Sequence, residues 1–278
     1  MFGKGGAMRT MYGLSLGVMA CLLVALVGCW GSGNAGGQTA SAPPSSPSAQ
    51  AVRIVALGDS DATGAGDPTG QGWVGRYAAL VHKATGSPVH VTNLAVDGKT
   101  SDVLLTEVQS DPATRQALRG AQAVLLGIGG ADLNSGDDHL ETGRCKGRAC
   151  YTPLLHQFRR NFGATVATVR QLAGRSALIR AISGPNGYPG AGNAFPPFAT
   201  PGVALYQVVT ERTIVCGAAR KYGGDCIDVV RAFNGSSGTA DAYHAGLMTK
   251  DPCCYPSAKG QQRMAQLLYR LGLGPLQS

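Results

Sequence analysis

Ser60 stands in Gly58-Asp59-Ser60, directly after the apolar run Val52-Arg53-Ile54-Val55-Ala56-Leu57. A hydroxyl at the carboxyl end of the first strand of an α/β sheet is where a hydrolytic enzyme would hold a nucleophile. Attack on an acyl carbonyl would also need a base for the Ser60 proton and donors for the developing oxyanion. The base would normally be a histidine, and the chain has five. His244, in Asp241-Ala242-Tyr243-His244, and His139, beside Asp137 and Asp138, are the two that loops could bring to Ser60. His82 and His90 fall in a helix and a strand, and His156 opens a long helix without an evident partner.

The elements that must position these groups alternate in type. Strands are expected at Val52–Leu57, Val89–Leu94, Ala123–Ile128, Ser176–Ile182 and Cys226–Val230. Apolar residues at helical spacing predict helices over Trp73–Ala84, Leu154–Leu172, Val203–Tyr222 and Ser257–Leu271. Ser101 reads as the cap of a further helix through Val108, and Arg115–Leu118 as a short helical turn. Strands alternating with helices imply a three-layer α/β/α sandwich around a parallel five-stranded sheet, with ligands beyond the carboxyl ends of the strands. The loops after Ser60, near Gly98 and near Gly130 should then converge. The Gly- and Pro-rich segment from Gly184 to Pro201 reads as a loop on the same rim, equally able to shape a cleft or to be a plain surface excursion.

The amino terminus is of another kind. Lys4 and Arg9 precede an apolar stretch, Met11–Gly28, that ends in Leu26-Val27-Gly28-Cys29. This resembles a bacterial lipoprotein signal over residues 1–28, with Cys29 as the lipidated residue; a transmembrane anchor is the alternative. Residues 29–50 then form an uncharged Gly/Ser/Ala/Pro tether and 51–278 one domain, lipid-anchored in the cell envelope of a bacterium. The formal charge of +8 falls to +6 without Lys4 and Arg9, which suits solubility or an acidic envelope surface. Basic and aromatic residues are not interleaved, so no nucleic-acid partner is expected. Cys145, Cys150, Cys216, Cys226, Cys253 and Cys254 remain after export, an even set suited to three disulfides. Cys145 with Cys150 and Cys216 with Cys226 are the simplest local pairs, among fifteen connectivities the sequence permits. The adjacent Cys253 and Cys254 lack metal-ligand spacing. No metal or cofactor is expected, and the domain is expected to be a monomer.

Four blocks in order now carry a resemblance. Gly58-Asp59-Ser60-Asp61-Ala62-Thr63-Gly64, Asn93-Leu94-Ala95-Val96-Asp97-Gly98, Gly129-Gly130-Ala131-Asp132 and Tyr255-Pro256-Ser257-Ala258-Lys259-Gly260 resemble the motifs of the SGNH, or GDSL-type, esterases and lipases. The resemblance runs from about Val52 to Leu271 and implies a flavodoxin-like fold. It implies that Ser60 is the nucleophile and that the Ser60 and Gly98 amides serve the oxyanion. It also exposes two departures. Ala131 stands where the family has an asparagine donor, with Asn134 three residues on. Tyr255 stands where the family has histidine, with Pro252 three residues before it and Asp251 one further. A phenol, with a reference pKa of about 10 against about 6.5 for imidazole, is a poor base at neutral pH. The expected site set is therefore Ser60, Gly98, His244, Tyr255 and Asp251, bordered by Asp59, Asp61, Gly130, Ala131, Asp132 and Asn134. Two functions follow: an exported serine esterase acting on small-molecule, lipid or glycan esters, or a non-catalytic domain that binds carbohydrate or lipid on the same scaffold.

Overall fold

Strand β1 (Val52–Gly58) is the centre on which the rest is built. Its residues alternate between two cores, as a period of two requires. Val52, Ile54 and Ala56 pack with Trp73, Tyr77, Met264 and Leu268; Val55 and Leu57 pack with Leu104, Phe158, Phe162 and Ile214. A strand buried on both faces needs helices on both sides, and the helices found there are α2 (Gly72–Thr85) and α9 (Ala258–Arg270) on one face. The other face is covered by α3 (Ser101–Ser110), α6 (Thr152–Ala173) and α7 (Pro201–Lys221). β1 pairs in parallel with β2 (Val89–Asn93) and β3 (Ala123–Gly127), and β3 continues to β4 (Leu178–Ile182) and β5 (Asp225–Ile227). The five-stranded order is β2-β1-β3-β4-β5, a parallel sheet in a three-layer α/β/α sandwich. The chain leaves β1 to one side for β2 and returns past it to β3, so the crevice between the ends of β1 and β3 is the place where such sheets bind ligands.

This computed structural model describes residues 50–192 and 200–277. Those residues fall within one compact unit, Pro47–Ser278. The expected signal segment, Cys29 and nearly all of the expected tether lie outside the described residues, as do 193–199 of the expected rim loop and the side chain of Cys253. Among the described residues no helix is long and apolar enough to cross a membrane.

Several elements differ from expectation. Helix α4 (Pro112–Arg119) is longer than the turn foreseen, because Asp111 accepts the Thr114 amide at 2.7 Å. Ser101 is inside α3 rather than its cap; Thr100 is the cap residue. Val229 and Val230, read as strand, begin helix α8 (Val229–Asn234), since Asp228 accepts the Arg231 amide at 2.9 Å and turns the chain. A short hairpin of β6 (Met248–Lys250) and β7 (Cys253–Pro256) precedes α9 and was not foreseen. Cys145–Cys150 and Cys216–Cys226 form the two local disulfides, with Cα atoms 5.4 and 5.0 Å apart, and Cys254 is also disulfide-bonded.

Candidate active site

Two helix starts meet at Asp59. The short α1 (Ser60–Thr63) begins at Ser60, and the Asp59 carboxylate caps it by accepting the Asp61 amide at 3.1 Å. Its other oxygen accepts the Gly129 amide at 3.0 Å, just before α5 (Gly130–Glu141). One buried side chain thus ties the end of β1 to the end of β3 and fixes Ser60 beside the start of α5. The approach is close: a Cβ on Gly58, whose φ is 150°, would lie 1.8 Å from the Gly127 carbonyl oxygen. Burial raises the Asp59 carboxyl above its usual range, with the amides of Asp61, Gly129, Ala131 and Gly130 opposing.

The Gly98 loop is held from below. Lys99, buried, donates to the Leu94 carbonyl at 2.8 Å and to Glu107 at 2.6 Å. The Val96 amide donates to the Gly58 carbonyl at 3.1 Å, and the Thr63 hydroxyl donates to Asp97 at 2.6 Å. Asp132 joins this loop to α5 by accepting the Ser101 amide and hydroxyl, and the Asn161 amide donates to that hydroxyl at 3.1 Å. Burial pushes Asp132 up to about 6 against the Ser101 hydrogen bonds, with repulsion from Asp59 and Asp102 adding to it.

Ser60, Gly98 and the start of α5 open on one cavity of about 440 Å³. Asp59, Asp61, Asp97, Gly130, Ala131, Leu133, Asn134 and Asp137 line it on these sides; Gly184, Pro185, Val208, Glu211, Cys254 and Tyr255 close it opposite. Tyr255 reaches it from β7, which passes so near Gly66 that a Cβ there would be 2.6 Å from the Tyr255 Cβ. Asn134 is one helical turn beyond Ala131 and shares its face. No hydrogen bond reaches Ser60 Oγ from any described residue.

Other expected residues are elsewhere. His244 is exposed, in a turn where Asp241 accepts the Tyr243 and His244 amides at 2.8 and 2.9 Å, and it is not among the residues that line the cavity. Asp251 is exposed on the hairpin, and neither it nor any of the five histidines lines the cavity. Asp132 also does not line it, being turned to Ser101.

The sequence reading missed Glu211. It is 5% exposed, on the apolar stripe of α7 between Val208 and Val215, and its Oε1 accepts the Gly184 amide at 3.1 Å. Burial pushes its carboxyl up to about 8, the Gly184 amide opposing and Asp61, Asp59 and Asp132 adding repulsion. Burial and then Asp59 push Asp61 up to about 7. A polar residue on an apolar stripe was the one signal in the sequence that could have marked it.

The model of the GDSL-like lipase/acylhydrolase family matches residues 56–263. The chain belongs to that family. Among solved structures, the lipase Lip_vut3 from a goat rumen metagenome is similar over 81% of this chain and 99% of its own, at 18% identity and a TM-score of 0.68. An acetyl xylan esterase from Geobacillus stearothermophilus is similar over 80% and 94%, at 16% identity and a TM-score of 0.56. A phospholipase A1 from Streptomyces albidoflavus NA297 covers 80% and 99%, at 19% and 0.53. At such identities the likeness is one of fold. The uncharacterized protein YpmR of Bacillus subtilis is 39% identical over 83 residues, which span 30% of this chain and 32% of that relative. The described lining of this cavity therefore brings Ser60, Gly98 and the start of α5 together, with no histidine and with Ala131 where the family's third block has asparagine.

Proposed function

We propose that the protein hydrolyses carboxylic esters through an acyl-enzyme on Ser60. The observation that carries this reading is the cavity shared by Ser60, Gly98 and the first turn of α5. In this mechanism Ser60 Oγ adds to the acyl carbonyl carbon as its proton leaves. The amides of Ser60 and Gly98 donate to the oxyanion, in a cavity where fixed dipoles need no reorganisation. Collapse expels the alcohol with a proton, and water repeats the sequence to release the acid. Asp61 is the proton acceptor, acting through one water, since adjacent helical residues do not face each other. Asp61 lines the cavity beside Ser60, and burial followed by repulsion from Asp59 raises its carboxyl toward the range of an imidazole; the two together support the assignment. A fluorophosphonate should label Ser60, and Ser60→Ala should abolish both labelling and p-nitrophenyl acetate turnover. Folded protein that takes no label would overturn the reading.

A second reading, a domain that binds carbohydrate or lipid without turnover, is favoured by Ala131, Tyr255 and the free Ser60 hydroxyl. Saturable turnover that Ser60→Ala removes would exclude it. The resemblance of residues 1–28 to a lipoprotein signal, ending in Leu26-Val27-Gly28-Cys29, supports a lipid at Cys29 and a site of action in the bacterial envelope. Labelled palmitate should enter the expressed full chain and be lost in Cys29→Ala.

A further inference from the structure

The cavity lining is acidic in composition although the chain as a whole is basic. The protein is +8 overall, yet the described lining holds Asp59, Asp61, Asp97, Asp137 and Glu211 and no Lys, Arg or His. Three of these carboxylates are answered from within. Asp59 accepts two amides, Asp97 the Thr63 hydroxyl, and Asp137 the Tyr151 hydroxyl. Asp61 is assigned to Ser60. Glu211 is left with Oε1 on the Gly184 amide and Oε2 without a hydrogen-bond partner among the described residues, although the residue is 5% exposed and faces the cavity. The backbone gives way to it: a Cβ on Gly129 would lie 3.1 Å from Oε1, and one on Gly184 3.5 Å from both oxygens. A mostly buried carboxyl whose second oxygen meets no donor among the described residues is open to a polar ligand that enters the cavity.

The chemistry of that ligand follows from the geometry. A metal ion draws several ligands to within about 2.0–2.6 Å. Among the described residues no three His, Cys, Asp or Glu side chains are so arranged. A cavity of about 440 Å³ instead has room for an organic group. Tyr255 lines the same space, and an aromatic side chain attracts an ammonium. We propose that Glu211 anchors a protonated amine or quaternary ammonium, so that the preferred ligand at this site is cationic. The ester-hydrolase reading makes that ligand an ester; the cation subsite itself does not require turnover.

Burial and the neighbouring Asp61, Asp59 and Asp132 hold Glu211 up at about 8, so in the empty cavity it is protonated at neutral pH. The other titratable groups facing the space are Asp97, Asp137 and Tyr255. A bound cation draws the Glu211 proton off.

The test compares choline with its neutral isostere 3,3-dimethylbutan-1-ol by calorimetry on the wild-type chain, in two buffers of different ionisation enthalpy. Choline should bind about tenfold or more tightly than the alcohol, with proton release. Glu211→Gln should erase the preference while keeping the circular dichroism spectrum. If that variant does not fold, the wild type decides: choline affinity should rise between about pH 6 and pH 8.5 while that of the alcohol stays level. Equal affinities, no choline binding, or a preference that survives Glu211→Gln would overturn the inference. Ser60 turnover without choline preference would sink the cation subsite alone; choline preference without turnover would sink the esterase alone.

Discussion

At the scale of single residues, the two departures from the family have different consequences. Ala131 removes a side-chain donor, and loss of one such donor costs about 3 kcal/mol of transition-state stabilisation. Asn134 shares the face of Ala131 on the cavity wall. Ala131→Asn should therefore raise kcat for a simple acetate ester, by up to about a hundredfold if the amide reaches the oxyanion. Steady-state kinetics at saturating ester would read the change, and an unchanged kcat would show that another donor already fills the role. Tyr255 removes the ordinary base, and Asp61 is the proposed replacement. Asp61→Asn should lower kcat by about a hundredfold or more. The sign of its pH dependence follows from a carboxyl raised to about 7. Activity should rise with pH as Asp61 ionises, be half-maximal near that value, and lose this limb in the variant. The sequence made Ser60, Gly98, Ala131 and Tyr255 legible because they sit in ordered motifs. It left Glu211 illegible because a glutamate in a helix is ordinarily a solvated residue, and only the packing of α7 over Gly129 and Gly184 buries it.

At the scale of elements, the loops converge because carboxylates cap helices across the sheet. Asp59 serves α1 and the approach to α5 at once. That is also why α5 was not legible beforehand. Its sequence, Gly-Ala-Asp-Leu-Asn-Ser-Gly-Asp-Asp, is poor in helix formers, and tertiary hydrogen bonds at Asp59, Ser101 and Tyr151 hold what propensity does not. The reverse error occurred at Val229-Val230, where β-branched residues read as strand and the Asp228 cap prevailed. The long strands and helices were legible because both faces of the sheet impose simple periods on buried residues. The β6–β7 hairpin was not, since strands of three and four residues carry too little pattern. Gly129 is where these element-level contacts are tightest. Its φ of 143° disfavours a side chain, and an added Cβ would press on Glu211 and Phe158 at 3.1 Å. Gly129→Ala should destabilise the fold by roughly 1–3 kcal/mol and weaken choline binding by displacing Glu211. Urea unfolding and calorimetry on the same preparation would separate the two effects.

At the scale of the whole molecule, the buried carboxyls set how stability depends on pH. Unfolded, Asp and Glu titrate at about 3.9 and 4.3. Folded, Asp132, Asp61 and Glu211 are raised to about 6, 7 and 8, in each case chiefly by burial. Between the unfolded and folded values the native state binds more protons than the unfolded chain. Its stability is therefore full below the unfolded values and is lost as pH rises through the folded ones. Asp67 acts in the opposite sense: burial would raise it, but hydrogen bonds from Arg76 and Thr69 hold it below its usual range, so its contribution disappears in acid. The two trends together place the greatest thermal stability on the mildly acidic side, at about pH 5, with a decline toward about pH 8.5. Glu211→Gln removes the uppermost of the raised groups. It should flatten the alkaline part of that decline and melt higher than the wild type at about pH 8.5. A cationic ligand should do the same to the wild type by a different route, because binding only the folded state raises its melting temperature. Thermal melts across this range, with and without choline, would test both at once. A wild-type melting temperature that climbs steadily from pH 5 to about 8.5 would mean that these carboxyls are ionised without cost, and the cavity would then need no cation to fill it.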